Sequence, residues 1–130
     1  MAHIKAVPDG YHTVTAFLSV EGARDAIAFY KQAFGAEERA IMPTPDGKVM
    51  HSEIKIGDSI VMLSDAVMLP ATRSALHLYV QDVDAVYERA LQAGASILAE
   101  PADKPYQERS AGVKDSFGNT WWISTYQGPS

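Results

Sequence analysis

The sequence contains no cysteine, which excludes disulfides, thiolate nucleophiles and cysteine-ligated zinc or iron–sulfur centres. It also lacks any cluster of Lys and Arg able to neutralise phosphates, and 16 acidic residues against 11 basic ones leave a formal charge of -5. Nucleic acid is therefore not an expected partner. No apolar run approaches the roughly 20 residues that a membrane-spanning helix needs, so no membrane partner is expected. The opening segment MAHIKAVPDGYH has no signal-peptide apolar core, and cytoplasmic residence is the expectation. There is neither a G-x-S-x-G nucleophile elbow nor a glycine-rich phosphate loop, which argues against a nucleophilic hydrolase or a nucleotide enzyme.

What is present is the composition of an ordinary globular domain, 47% hydrophobic and 21% charged over 130 residues, read as one domain spanning 1–130. After a lead-in over 1–10, residues 12–20 alternate as a strand, with Val14, Ala16, Leu18 and Val20 on one face and Thr13, Thr15, Phe17 and Ser19 on the other. Residues 22–34 read as a helix ended by Gly35, with Ala23, Ile27, Tyr30 and Phe34 at helical spacing. Strands at 37–42, 49–56 and 59–63 follow, split by the turn signals Pro45-Asp46-Gly47 and Gly57-Asp58.

Then the order repeats. Residues 75–80 form a strand, 82–93 a helix with Asp82 as N-cap and Gly94 as stop, and 96–99 a strand; a loop is expected at 101–105. The closing stretch GVKDSFGNTWWISTY, residues 112–126, reads as a hairpin about Asp115-Ser116-Phe117-Gly118-Asn119. Its second strand places Trp121, Ile123 and Thr125 on one face and Thr120, Trp122, Ser124 and Tyr126 on the other. The letters match too: Val20, Phe34-Gly35-Ala36 in the first half answer Val80, Ala93-Gly94-Ala95 in the second. The fold class is therefore α+β: two βαβββ repeats (about 11–65 and 74–126, connector 66–73) forming a curled mixed sheet, a cup with helices on its convex side. Concave, largely apolar cups are where small ligands bind.

Ala26-Ile27-Ala28-Phe29-Tyr30 with Phe34-Gly35-Ala36, Gly57-Asp58-Ser59 with Met62-Leu63-Ser64-Asp65, and Asp115 to Trp121 make the chain resemble the vicinal oxygen chelate superfamily. That group holds glyoxalases, bleomycin-resistance proteins and extradiol dioxygenases; within it the chain is most similar to the PhnB-like branch. The resemblance covers nearly the whole chain. It implies a cup with four metal-ligand positions, which fall here on Thr15, on Met62 or Leu63, on Ala75 and on Trp122. None is a good ligand for a hard divalent ion, so the family's metal site reads as lost and no cofactor is expected. The resemblance also implies a homodimer, and leaves open whether the cup forms within one chain or by exchange between subunits.

Two functions from different classes follow. The preferred one is a metal-free protein binding a small organic molecule, aromatic or cationic, in a cup lined by Phe17, Tyr79, Trp122 and Tyr126, with His77 and Thr15 orienting the guest. The alternative is a lyase, isomerase or dioxygenase with a relocated divalent metal held by His51, Glu53 and His77. His77 is the candidate general acid or base. His51 and Glu53, two apart on a strand, read first as a rim pair, and Asp65 and Glu108 first as solvated surface, with negative charge at the cavity mouth as their alternative. Trp121, Tyr30 and Phe34 read as core.

Overall fold

The computed structural model describes residues 4–129; the first three residues of the lead-in and Ser130 lie outside the described residues. Among the described residues the elements run β1 (Ala16–Val20), α1 (Ala23–Phe34), β2 (Glu37–Pro43), β3 (Val49–Ile56), β4 (Ser59–Asp65), β5 (Ala75–Tyr79), α2 (Val83–Gln92), β6 (Ser96–Lys104), β7 (Glu108–Lys114) and β8 (Thr120–Tyr126). They form two four-stranded sheets with the same internal order, β1-β4-β3-β2 and β5-β8-β7-β6. In each, the first strand pairs in parallel with the last and the remaining pairs are antiparallel. This is the α+β pair of βαβββ units that the repeated pattern indicates.

Three boundaries differ from the pattern by more than two residues. β1 begins at Ala16 rather than 12, because its ladder starts where Ala16 meets Val61. β6 runs through the expected loop at 101–105: Pro101 is tolerated because β6 is an edge strand and a register shift between Ala99 and Ala102 absorbs it. β7 starts at Glu108, so the closing hairpin is longer than its turn signal suggested.

Each helix is held by groups outside itself. Gly22, at the N-terminus of α1, has no side chain to cap with. Asp65, at the end of β4, supplies the anion instead: Oδ1 accepts from the N–H of Gly22 at 3.0 Å and of Ala23 at 2.9 Å, while Oδ2 accepts from Val49 N–H at 2.7 Å. A carboxylate there meets orphan donors and the positive end of the helix dipole. At the other end Gly35, left-handed at φ 68°, lets Ala36 N–H reach the Tyr30 carbonyl. α2 is capped conventionally, Asp82 accepting from Ala85 N–H at 3.2 Å.

α1 covers one face of the first sheet, α2 one face of the second, and the helices pack on each other. One core results, with Leu18, Val20, Ile54, Val61 and Leu63 from the first sheet and Ala111, Val113, Trp121 and Ile123 from the second. Tyr30 and Phe34 of α1 meet Trp121 of β8 at ring-centroid distances of 5.2 and 4.7 Å. Asp115 ties the units together. Its carboxylate accepts from Tyr30 Oη at 2.5 Å, Trp121 Nε1 at 3.0 Å and the N–H groups of Phe117 and Asn119 at 2.8 and 2.9 Å. Burial first, then the charge of Asp115, push the Tyr30 hydroxyl far above its ordinary range, so it remains a donor.

This layering has a consequence for the cup. With the helices between them, no strand of one sheet comes within 8 Å (Cα–Cα) of a strand of the other. The two sheet faces not covered by helices therefore do not meet within one chain. Each is open.

Candidate ligand-binding site

Strand parity builds the first half of the site. On β8, Trp121 turns inward and is 2% exposed, whereas Trp122 turns to the open face and is 37% exposed. Trp122 pairs across β7 with Gly112, where a Cβ would lie 2.8 Å from Cζ3 and 2.9 Å from Cε3 of the indole. Gly112 is not at positive φ, so it is close approach and not backbone conformation that favours glycine there. The benzenoid edge of the indole therefore lies over Gly112 of the neighbouring strand.

On the other side of Trp122, β5 contributes His77, opposite Trp122, and Tyr79, opposite Ser124. Their rings are 4.8 Å apart. Beneath them Ser124 and Ser110 are small, and their hydroxyls join at 2.6 Å. Tyr79 reaches across this low floor to β7, donating its hydroxyl to Glu108 Oε1 at 2.7 Å. The Glu108 side chain is only 11% exposed, and His77 Nε2 stands 4.0 Å from its Oε2. The bond to Glu108 raises the Tyr79 hydroxyl above its ordinary range, keeping it protonated. Tyr126, opposite Glu108, completes this face.

The open face of the first sheet carries fewer aromatic rings but a similar Tyr–Glu–His set. Phe17 of β1 pairs with Met62 of β4, which pairs with Glu53 of β3. Phe17 and His51 stack with centroids 6.2 Å apart. Tyr11, from the segment before β1, donates its hydroxyl to Glu53, and His51 Nε2 lies 3.4 Å from Glu53 Oε2. The Tyr11 bond foremost, with His51 and Arg39 adding, holds the Glu53 carboxyl below the usual range against the opposing effect of burial. Thr15 sits just before β1 with its hydroxyl directed to the His12 carbonyl at 3.5 Å.

The structure thus divides the expected site. His77, Tyr79, Trp122 and Tyr126 share the open face of the second sheet; Phe17 shares that of the first with His51 and Glu53, and Thr15 adjoins it. His77 does not join His51 and Glu53 within one chain, and among the described residues no three His, Asp or Glu side chains cluster as a metal site. Asp65 and Glu108 are not solvated surface: the first caps α1 and the second is buried under Tyr79. Had β7 been extended back from 112, the alternation Glu108, Ser110, Gly112 would have placed that carboxylate on the open face.

The four family ligand positions can now be tested on their donors. Leu63 belongs to the core and Met62 to the open face, so Met62 is the fourth-strand position. Met62, Ala75 and Trp122 offer no oxygen and no imidazole nitrogen. The set does not fit a divalent ion of the hard or borderline kind.

A cleft of about 790 Å³ lies between the start of β1 and the free edge of β5. Its walls include core-facing side chains (Phe34, Leu76, Leu78, Val86, Trp121) beside two strands that each lack a neighbour on one side. It is a seam, and it brings Thr15 of the first unit together with His77 and Tyr79 of the second among its lining residues.

Comparison with known proteins places this geometry. A family model described as Glyoxalase/Bleomycin resistance protein/Dioxygenase superfamily matches residues 10–123. An uncharacterized protein of Mycobacterium tuberculosis, Rv0887c, is 39% identical over 116 residues, covering 80% of this chain and 68% of that one. Among solved structures, TioX from Micromonospora sp. ML1 superposes with a TM-score of 0.74 at 23% identity, covering 92% of this chain and 98% of TioX. TnmS3 from Streptomyces sp. CB03234, described as an antibiotic binding protein, superposes with a TM-score of 0.70 at 24% identity, covering 95% of this chain and 99% of TnmS3.

Proposed function

Because this chain belongs to the Glyoxalase/Bleomycin resistance protein/Dioxygenase superfamily, and because its open sheet faces carry rings where metal donors are called for, we propose that it binds a small organic molecule, aromatic or cationic, by stacking. The observation that carries this reading is Trp122. The benzenoid edge of the indole lies over Gly112, and the ring is 37% exposed on the same sheet face as His77, Tyr79 and Tyr126. A ring so placed offers a guest stacking worth about 0.5–1.5 kcal/mol beyond the area it buries. The antibiotic-binding description of TnmS3 supports a binding role for this fold. The finer placement in the PhnB-like branch rests on the Ala26 to Ala36 and Asp115 to Trp121 motifs.

The site is completed by a second copy. Each chain has two half-cups, and of its four edge strands (β1, β2, β5 and β6) β1 and β5 lie with exposed apolar side chains on or beside them, among them Val14, Phe17 and Tyr79. A soluble monomer rarely leaves so much apolar surface open. A twofold axis that sets the first sheet of one copy against the second sheet of the other closes both seams, covers both edges and makes two identical cups. In that homodimer Phe17, Met62 and the His51–Glu53 pair face the Trp122 half from across the cup. A relocated metal held by His51, Glu53 and His77 would likewise draw on two copies.

Calorimetric titration with naphthalene- and quinoline-based amines tests the proposal. Binding is expected, and Trp122→Ala should weaken it at least tenfold. Failure of every probe to bind, or affinities indifferent to Trp122→Ala, refutes stacking on this face. Stoichiometric divalent metal in protein purified without chelator, lost in His77→Ala, would favour the enzyme reading instead.

A further inference from the structure

Glu108 is a carboxylate with one donor too few. Oε1 accepts from the Tyr79 hydroxyl at 2.7 Å. Oε2 has no hydrogen-bond donor in reach, His77 Nε2 being 4.0 Å away, and among the described residues no Lys or Arg pairs with Glu108. No fully enclosed side-chain oxygen lacks a partner, so Oε2 is the part of this nearly buried group that opens onto the sheet face. A nearly buried carboxylate that shares its face with Tyr79, His77 and Tyr126, and that pairs with no Lys or Arg among the described residues, leaves an acceptor oxygen for a cationic guest. Aromatic faces around it attract positive charge as well.

We propose that Glu108 is the charge anchor of the site: the guest carries an ammonium or amidinium group that binds Oε2 while its ring system lies on Trp122. This rests on the stacking proposal above and sharpens it from aromatic or cationic to both at once. The residues are placed for it. His77 pairs with Trp122 across the β5–β8 ladder, and its Nε2 is 4.0 Å from Glu108 Oε2, so His77 starts beside the backbone of Trp122 and ends at the carboxylate. Ser110 and Ser124 leave the floor between them low, and Tyr79, beside His77 on β5, holds the other carboxylate oxygen. Charge-assisted hydrogen bonding to a nearly dry carboxylate discriminates more strongly than stacking, which every flat ring can satisfy.

The test uses three probes of one shape, 2-naphthylethylammonium, 2-naphthylethanol and 2-naphthylacetate, titrated calorimetrically into the full-length protein. The cation should bind at least tenfold more tightly than the alcohol, and the carboxylate should be the weakest. Glu108→Gln, which keeps an acceptor for Tyr79, should abolish the preference while leaving the alcohol's affinity within about twofold. Equal affinities for cation and alcohol in the unsubstituted protein, or a preference unmoved by Glu108→Gln, overturn the inference and leave stacking on Trp122 standing. No binding of any probe overturns both. The ranking in the unsubstituted protein decides the matter should Glu108→Gln fail to fold.

Discussion

Gly112→Ala separates the two roles that Trp122 can have, platform or plug. The added methyl would sit 2.8 Å from Cζ3, 2.9 Å from Cε3 and 3.3 Å from Cη2 of the indole. Carbon atoms rest at about 3.5–4.0 Å, so the ring must lift by about 0.7 Å or more at its near edge. Nothing in the backbone resists the change, since Gly112 is not at positive φ, and alanine there removes about 0.4–1 kcal/mol of unfolded-state freedom. Against this stands the loss of flat contact between Trp122 and β7. Trp122 is 37% exposed, so the ring can swing outward instead of pressing into the core, and the lost contact should cost about 1–2 kcal/mol. The two terms nearly cancel. Gly112→Ala should therefore unfold within about 1 kcal/mol of the unsubstituted protein in urea, yet bind 2-naphthylethylammonium at least fivefold more weakly, because the tilted indole no longer presents a level face. A destabilisation above about 3 kcal/mol would mean that the indole is locked as a plug. Unchanged affinity would mean that the guest does not lie on it. Either result refutes the argument.

Two further outcomes follow from the same structure. Val14, 88% exposed beside the free edge of β1, should become tolerable as aspartate in an isolated chain but not in the proposed seam; sedimentation should show two chains for the unsubstituted protein and one for Val14→Asp, and a dimer that survives the change would place the interface elsewhere. Asp65 is drawn upward by burial, but the N–H groups of Val49, Ala23 and Gly22, with Lys48 adding, outweigh it and hold the carboxyl below the usual range. A carboxyl depressed on folding stabilises fully above its unfolded value, about 3.9, and that contribution fades as the pH falls through the folded value. Urea midpoints measured from pH 7 to pH 2.5 should therefore drop below about pH 4, and Asp65→Asn should be less stable at pH 7 with a shallower acid limb; equal limbs would refute the capping role.

The two uses of tryptophan show what was legible in the chain. That Trp121 and Trp122 part company follows from alternation alone, since neighbours on a strand cannot share a face. The same rule placed Phe17, His77, Tyr79 and Tyr126 on faces away from the core residues of their strands. Glu108 read first as solvated surface, and only second as negative charge at the cavity mouth, because the hairpin's turn signal lies at 115–119 and says little about how far back β7 extends; register is fixed by partners, and Tyr126 is the partner that reveals it. Asp65 was missed for a similar reason. The N–H groups it caps are 16, 42 and 43 residues away, and no local pattern records such a contact.

Periodicity, turn chemistry and the duplicated Phe-Gly-Ala and Ala-Gly-Ala helix ends were enough to determine two βαβββ units, their helices and which side of each strand is oily. These are local properties, written in spacings of two and of three to four residues. What the tertiary structure alone decided is where the units stand relative to each other: both helices lie between the sheets, so the half-cups do not face one another within a chain. Two units of identical pattern can be docked face to face or back to back without altering a single local preference. Only the long-range contacts of Tyr30, Phe34 and Asp115 with the closing hairpin choose between them.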